Sequence, residues 1–290
     1  MGYLLCFSAV VLWGLTQIPI KLAKTPGRVG VMISVPSALA ALAVILAVQG
    51  KLVIPHASHR DWIFIALAGV TNFSLANFGY LEAVQRAGIT VAAPISRLTP
   101  VIVVLAQAVI TGTTLSPWLT TVATLIFIGG ALCGRGARLV HPVEHHGNLH
   151  LGMVLAVFAC LMWAGGYLAL GQISSEVPRS LVTFYGLAFG AAAYWIIVML
   201  AGRLEALKTV TPRDVALYAV HGVVSYTLAY WAMFEGIRIL GVSEGTVIAE
   251  SWPAAAVIVG VVVLHERMNA QKFVGAALMV ASAAAVVLLS

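Results

Sequence analysis

The chain has 290 residues, of which 61% are hydrophobic and only 9% charged, and its formal net charge is +6. About a quarter of the residues of a typical soluble domain are charged, so this composition excludes a soluble protein and predicts an integral membrane protein. Lys and Arg lie mainly near the ends of apolar segments, where anionic lipid headgroups rather than nucleic acid are the expected partner.

The sequence contains ten apolar segments, each close to the roughly 20 residues that a helix needs to cross a bilayer. The predicted spans are 3–22, 29–49, 62–82, 89–111, 117–136, 151–172, 180–201, 214–236, 242–264 and 271–289. The first span has no basic lead-in and no small-residue cleavage site, so we expect it to be retained as a helix. The sequence therefore predicts an all-α integral membrane protein with ten transmembrane helices and no separate soluble domain.

The two halves of the sequence match each other at an offset of 153 residues, at which Arg97 falls on Glu250. Four residues of the first half fall on identical residue types of the second: Glu82, Gly88, Ile95 and Pro100. Because five helices per half is an odd number, the second half must cross the membrane in the opposite orientation. The sequence predicts two five-helix inverted-topology repeats, at 1–138 and 151–290, joined by a connector at 139–150.

The predicted connector is rich in histidine. Its candidate metal ligands are His141, Glu144, His145, His146 and His150. Their irregular spacing matches no closed zinc site, so we expect a solvated linker and no metal site. The sequence contains no nucleotide-binding, dinucleotide-binding or metalloprotease motif, so we expect no cofactor and no enzymatic activity.

Two opposite charges lie near the middle of the fourth and ninth predicted spans. A charge there costs at least about 2.5–3.5 kcal/mol, so Arg97 and Glu250 should face a partner or a water-filled cavity. In one interpretation Arg97 binds a substrate carboxylate or phosphate, while Glu250 binds an ammonium group or a proton. In the other, the two residues form a buried salt bridge that fixes how their helices cross. Both interpretations hold if the substrate separates the pair.

Three prolines fall within the same two spans: Pro94, Pro100 and Pro253. Each removes a backbone donor and frees a carbonyl, so we expect helix breaks that expose backbone to a cavity. The alternative is that these prolines serve packing alone. In transporters such breaks often mark the substrate site.

Aromatic residues cluster on the sixth and eighth predicted spans and next to Glu250. Trp163 and Tyr167 are one helical turn apart, and so are Tyr226 and Tyr230. The aromatic candidates for substrate binding are Tyr80, Trp163, Tyr167, Trp231 and Trp252. Together with Tyr226 and Tyr230, the candidates on the sixth and eighth spans and Trp252 are predicted to wall a pocket that stacks on a planar ring or surrounds a cation, and the alternative is that they face lipid or the protein core.

Other polar residues within the spans have two candidate roles. Gln17 and Asn77 are predicted to hydrogen-bond substrate, or else to join helices to one another. Glu250, His221 and Glu244 are the candidates for proton coupling, because burial can bring such groups to titrate near physiological pH. For Glu244 the alternative interpretation is a solvated helix end.

Repeated motifs relate the chain to a known family of transporters. Trp13-Gly14 is echoed by Trp163-Ala164, and the runs 82–100 and 235–253 each end one helix and open the next. The loop and helix start at 264–275 complete the pattern. In these features the chain resembles the ten-helix, EamA-like branch of the drug/metabolite transporter superfamily. The resemblance implies transport of metabolites such as aromatic amino acids, more often by export from the cytoplasm than by import.

Two signals give opposite membrane orientations. Fewer Lys and Arg residues lie on the side that holds both termini, so the positive-inside rule favours both termini outside. The resemblance implies both termini in the cytoplasm. The sequence leaves both orientations open.

Together these features predict a multi-pass secondary transporter of the cell (inner) membrane that moves a small amphiphilic metabolite by alternating access. Among such metabolites, an amino acid fits these features best. Its expected partners are a small-molecule substrate and the lipid bilayer, without nucleic acid, and its expected state is a monomer or a weak homodimer. Two alternatives stay open. One is a carrier of organic cations such as quaternary amines, with Arg97 purely structural, and the other is a non-transporting membrane protein such as a scramblase or an assembly subunit.

Overall fold

The computed structural model describes residues 1–87, 89–140, 148–202 and 204–289, and the regular structure in these ranges is helical. The helices that cross the bundle are α1 (Gly2–Leu22), α2 (Gly27–Val48), α3 (His59–Ala87), α4a (Ile89–Ser96), α4b (Thr99–Thr111), α5 (Pro117–Val140), α6 (Leu149–Gly171), α7 (Arg179–Leu200), α8 (Pro212–Leu240), α9a (Val242–Ala249), α9b (Trp252–Val262) and α10 (Ala270–Leu289). With α9a and α9b taken together, nine of the described helices are long and apolar enough to cross a membrane, and α4b is a shorter apolar helix.

The prediction of an all-α membrane protein with ten spans is confirmed, but several spans, α3 and α8 among them, start earlier than predicted. Helices α3 and α8 begin with polar residues because Ser58 and Thr211 cap their first turns. Ser58 Oγ accepts a hydrogen bond from the backbone N–H of Asp61 at 3.1 Å, and Thr211 Oγ1 accepts one from Asp214 at 3.1 Å. Hydropathy alone does not detect these capped polar turns.

The internal repeat is present in the backbone as well as in the sequence. The first and last residues of α8 follow those of α3 at the offset of 153 residues that separates Arg97 from Glu250. Helix α3 contains a π-helical stretch at Val70–Leu75, and α8 contains one at Gly222–Ala229. The fourth and ninth spans are each broken after a first segment of 8 residues. Both repeats thus carry the same two irregular helices, a kind of irregularity that is frequent at functional sites.

Each repeat holds a loop of the other repeat through one aspartate. Asp61, at the start of α3, accepts a hydrogen bond from the backbone N–H of Ser174 at 2.8 Å, in the loop between α6 and α7. Asp214, at the start of α8, accepts one from the backbone N–H of Lys24 at 3.1 Å and one from the Thr25 hydroxyl at 2.7 Å, between α1 and α2. Because the repeats are inverted, these contacts join the two halves at opposite ends of the bundle.

A third link joins the end of α1 to the start of α10. Glu266, in the loop after α9b, accepts hydrogen bonds from Lys21 and from Lys272, the latter at 3.1 Å. Burial opposes ionisation of this carboxyl group, but the two ammonium donors outweigh burial and hold the pKa of Glu266 below its usual value of 4.5. The ionised carboxylate therefore stabilises the folded protein.

Replacing Glu266 by Gln should lower the unfolding temperature by several degrees near neutral pH, because two ammonium groups lose their carboxylate. The contribution of Glu266 is fully present above pH 4.5 and is lost as the pH falls through the lower pKa of the folded state, so the difference from wild type should shrink in acid. The matched control, Glu205→Gln, breaks the exposed pair with Lys208 and should change little. Thermal unfolding in detergent measures both, and equal stability of the two variants near neutral pH contradicts this role.

Candidate substrate site

Arg97 and Glu250 lie at the two helix breaks. Arg97 directly follows α4a and Glu250 directly follows α9a, and the next helical segment starts two residues later in each case. Pro100 and Pro253 are the second residues of these following segments, where a missing N–H costs no intrahelical hydrogen bond. Each of these prolines therefore starts the helix that follows a break. Pro94 lies within α4a, and its side chain falls outside the described part of the structure.

Side-chain hydroxyls donate to backbone carbonyl groups at both breaks. The Thr99 hydroxyl donates to the carbonyl oxygen of Ser96 at 2.8 Å, and the Ser251 hydroxyl donates to that of Ile248 at 2.7 Å. Pro100 has no N–H for the carbonyl of Ser96, four residues before it, and the Thr99 hydroxyl supplies a donor in its place. Both breaks also carry a charged side chain, Arg97 in the first and Glu250 in the second.

Arg97 and Glu250 form a buried ion pair between the two repeats. Arg97 Nη1 donates to Glu250 Oε2 at 2.7 Å, and the two residues are 5% and 4% exposed. The Tyr167 hydroxyl donates to the other carboxylate oxygen at 3.2 Å. Ser96 Oγ accepts from Arg97 Nε and Nη2 at 3.2 and 3.0 Å. Such additional hydrogen bonds are what a buried ion pair requires if its desolvation is to be offset.

Two neutral groups fix the position of the Arg97 side chain. Its guanidinium carbon lies 5.0 Å from the centre of the Trp252 ring, which is a cation–π contact. Its aliphatic part packs on Gly130 of α5, where a Cβ atom would lie 2.5 Å from Arg97 Cγ. The missing side chain at position 130 therefore leaves the room that the arginine occupies.

The ion pair lies on the wall of a cavity of ≈ 400 Å³ between the repeats. The lining includes these residues predicted from the sequence: Gln17, Asn77, Tyr80, Arg97, Trp163, Tyr167, His221, Glu250 and Trp252. It also includes Trp13, Thr16, Ser34, Tyr218, Ser225, Tyr226 and Tyr230. A concave, mostly apolar space with a few convergent polar groups is typical of a small-molecule site.

Aromatic rings in contact with one another form the cavity walls. Trp13 and Tyr230 meet edge to face, with centroids 5.1 Å apart and planes at 77°. Tyr80 and Trp163 lie 5.5 Å apart at 55°. Because each ring is held by a neighbour, the cavity has apolar walls of fixed orientation.

Two of the sequence candidates do not line the cavity. Trp231 is 39% exposed, because Tyr230 faces the cavity and the next residue of a helix points about 100° away. Glu244 lies in the first turn of α9a, half-buried and away from the cavity lining. The connector histidines at positions 141, 145 and 146 lie outside the described residues, and His150 is exposed at the start of α6.

The sequence analysis missed four lining residues that carry a hydroxyl group: Thr16, Ser34, Tyr218 and Ser225. Single hydroxyls give no signal in an apolar segment, because they commonly bond within their own helix, as Thr16 does with the carbonyl of Trp13 at 2.7 Å. Tyr230, which the sequence analysis names in the aromatic cluster, also corresponds at the repeat offset to another lining residue, Asn77.

Comparison with known proteins identifies the family. The family model of EamA-like transporters matches residues 1–134 and 150–288. The chain belongs to the EamA-like transporter family. It is therefore a multi-pass membrane transporter of small metabolites, and the resemblance inferred from the motifs is confirmed.

Two individual proteins are similar to this member of the family. A curated relative from Archaeoglobus fulgidus, described as an uncharacterized transporter, is 22% identical over 209 residues, which cover 71% of this chain and 69% of the relative. One solved crystal structure superposes with a TM-score of 0.80 and 20% sequence identity, over 99% of this chain and 96% of that chain. At this identity the structural likeness establishes a shared fold.

Replacing Gly130 by Ala should destabilise the protein by about 1–3 kcal/mol, because the added methyl group displaces the aliphatic part of Arg97. The matched control is Gly165→Ala on α6, where a Cβ atom would meet nothing within 4 Å. The control should be neutral or stabilising by up to about 1 kcal/mol, the gain in helix propensity from Gly to Ala. Reversible unfolding in mixed micelles measures both, and equal free energies of unfolding would show that Arg97 does not depend on Gly130.

Proposed function

We propose that this protein is a secondary transporter that moves a zwitterionic, amphiphilic metabolite, an amino acid with an aromatic side chain, across the cell (inner) membrane by alternating access. The observation that carries the proposal is the Arg97–Glu250 ion pair on the wall of an aromatic cavity. The outward direction of transport rests on the resemblance of the motifs to those of metabolite exporters.

An amino acid carries the same two charges as the ion pair within a single molecule. Its carboxylate would replace Glu250 at the guanidinium of Arg97, and its ammonium group would replace Arg97 at the carboxylate of Glu250. A simple cation or anion would leave one protein charge without a partner. Because an unpaired buried charge costs about 3–5 kcal/mol, this exchange favours a zwitterion.

The size and walls of the cavity favour a substrate with one planar ring. The cavity volume is ≈ 400 Å³, near the lower end of the roughly 300–1,000 Å³ common for small-molecule sites. The contacting pairs Trp13 with Tyr230 and Tyr80 with Trp163 offer apolar ring surfaces against which an aromatic side chain can pack.

The position of the two charges favours alternating access. Arg97 and Glu250 lie on equivalent broken helices of inverted repeats, so a rocking of one repeat against the other changes the distance between them. A substrate that separates the pair would thereby couple its binding to that motion. Among the candidates for proton coupling, Glu250 and His221 line the cavity whereas Glu244 does not.

Counterflow of labelled tyrosine in proteoliposomes tests the proposal. Arg97→Met combined with Glu250→Gln removes both charges together, so no charge is left unpaired and the protein should stay folded and monodisperse. Uptake should fall at least about 100-fold, because two charge-assisted hydrogen bonds, each worth about 1.5–3 kcal/mol, are lost. The matched control, Arg238→Met with Glu235→Gln, removes an ion pair at the end of α8 that is bonded at 2.6 Å, and should transport like wild type.

The single variants separate the proposal from a carrier of organic cations. Such a carrier would transport a quaternary amine in Arg97→Met but not in Glu250→Gln, whereas an amino acid transporter needs both side chains. Wild-type uptake of tyrosine by the double variant contradicts the proposal. Family membership favours transport over a scramblase or an assembly subunit.

A further inference from the structure

We propose that His221 selects substrates by accepting, through its Nε2 atom, a hydrogen bond from a donor on the substrate side chain. The inference rests on the proposed function and deepens it, since it names a second binding group in the same cavity. It narrows the substrate class to zwitterions that carry an additional N–H or O–H donor, such as an indole or a phenol.

The hydrogen bonds of Ser34 determine which nitrogen of His221 carries the proton. Ser34 Oγ lies 2.8 Å from the carbonyl oxygen of Tyr218 and 2.9 Å from His221 Nδ1. A carbonyl oxygen only accepts, so the single hydroxyl proton of Ser34 is donated to Tyr218. The second contact must therefore run from the Nδ1–H of His221 to Ser34 Oγ. In the neutral ring Nε2 then has no proton and is an acceptor.

Close packing of α2 against α8 holds this arrangement. Gly222, next to His221, approaches the backbone of Ser34 so closely that a Cβ atom there would overlap the Ser34 carbonyl oxygen. The Tyr226 ring meets the imidazole edge to face, with centroids 5.3 Å apart. A half-turn of the imidazole about its Cβ–Cγ bond would move Nδ1 away from Ser34 and break that hydrogen bond.

The Nε2 atom of His221 is left for a ligand. His221 is 8% exposed and lines the same cavity as Arg97 and Glu250. Among the described residues, none makes a hydrogen bond to Nε2. Glu250 is the only carboxylate in the described part of the cavity lining, and it is already paired with Arg97. The neutral ring, with its acceptor unused, is therefore the form that faces the substrate.

Aromatic residues lie between this acceptor and the ion pair along α8. The lining residues of this helix run from His221 through Ser225 and Tyr226 to Tyr230, with the two tyrosine rings 5.9 Å apart. A substrate with a zwitterionic group, a flat ring and a donor on that ring matches this sequence of charged, aromatic and acceptor groups.

Two substitutions separate the roles of the two imidazole nitrogens. The amide of Asn reaches the region of Nδ1 and that of Gln reaches the region of Nε2, so His221→Asn keeps the contact with Ser34 and His221→Gln keeps the acceptor. Counterflow is measured for tyrosine and phenylalanine, which differ by one hydroxyl group. The wild type should prefer tyrosine by about tenfold in kcat/KM, the effect of one hydrogen bond. His221→Asn should lose this preference while it still transports phenylalanine, and His221→Gln should keep most of it.

The outcomes distinguish this inference from the proposed function. Transport of both amino acids by the wild type without preference, or an unchanged preference in His221→Asn, overturns the role of His221 and leaves the proposed function standing. Transport of neither amino acid by the wild type overturns the proposed function, and this inference with it.

Ser34→Ala provides a second test that keeps the imidazole, in case substitution of His221 prevents folding. Without the Ser34 oxygen the proton is free to move to Nε2, so the preference for tyrosine should fall severalfold while phenylalanine transport continues. The matched control is Ser37→Ala, on the same helix and outside the described cavity lining, which should keep the wild-type preference. A Ser34→Ala variant with the wild-type preference also overturns the inference.

Discussion

One guanidinium and one carboxylate lie paired at the centre of this protein, in a place where neither charge would be stable without the other. Moving either ion out of water costs several kcal/mol. The Arg97–Glu250 pair offsets this cost because the contact is short and because Tyr167 and Ser96 satisfy further hydrogen-bonding positions. The two charges come from different repeats, so the pair forms only when both halves of the chain pack against each other.

The inverted repeat explains why this pair adjoins a cavity. Each charge lies where a helix is broken, and the breaks occupy equivalent positions in the two halves. Asp61 and Asp214 join the halves at opposite ends of the bundle, so the motion proposed for alternating access would be accommodated between these two contacts. The π-helical stretches of α3 and α8 lie in this middle region, where the regular hydrogen-bond ladder is already altered.

Much of the fold could be predicted from the sequence, because hydropathy indicates the spans, the match between the halves indicates the repeat, and the odd number of spans in each half requires the inversion. Arg97 and Glu250 could also be identified from hydropathy, because charged residues are rare in apolar segments. The direction of a side chain around its helix could not be predicted, which is why Trp231 was chosen although Tyr230 faces the cavity. Contacts between distant segments, such as Ser34 with His221, have no local sequence signal because they arise only from helix packing.

The most direct measurement is an experimental structure of the protein with tyrosine bound. The expected result places the carboxylate of tyrosine on Arg97 and its ammonium group on Glu250, with Nη1 and Oε2 separated beyond hydrogen-bond reach of about 3.2 Å. A tyrosine bound elsewhere, or in the cavity beside an ion pair still joined at 2.7 Å, would contradict the claim that the substrate replaces the pair.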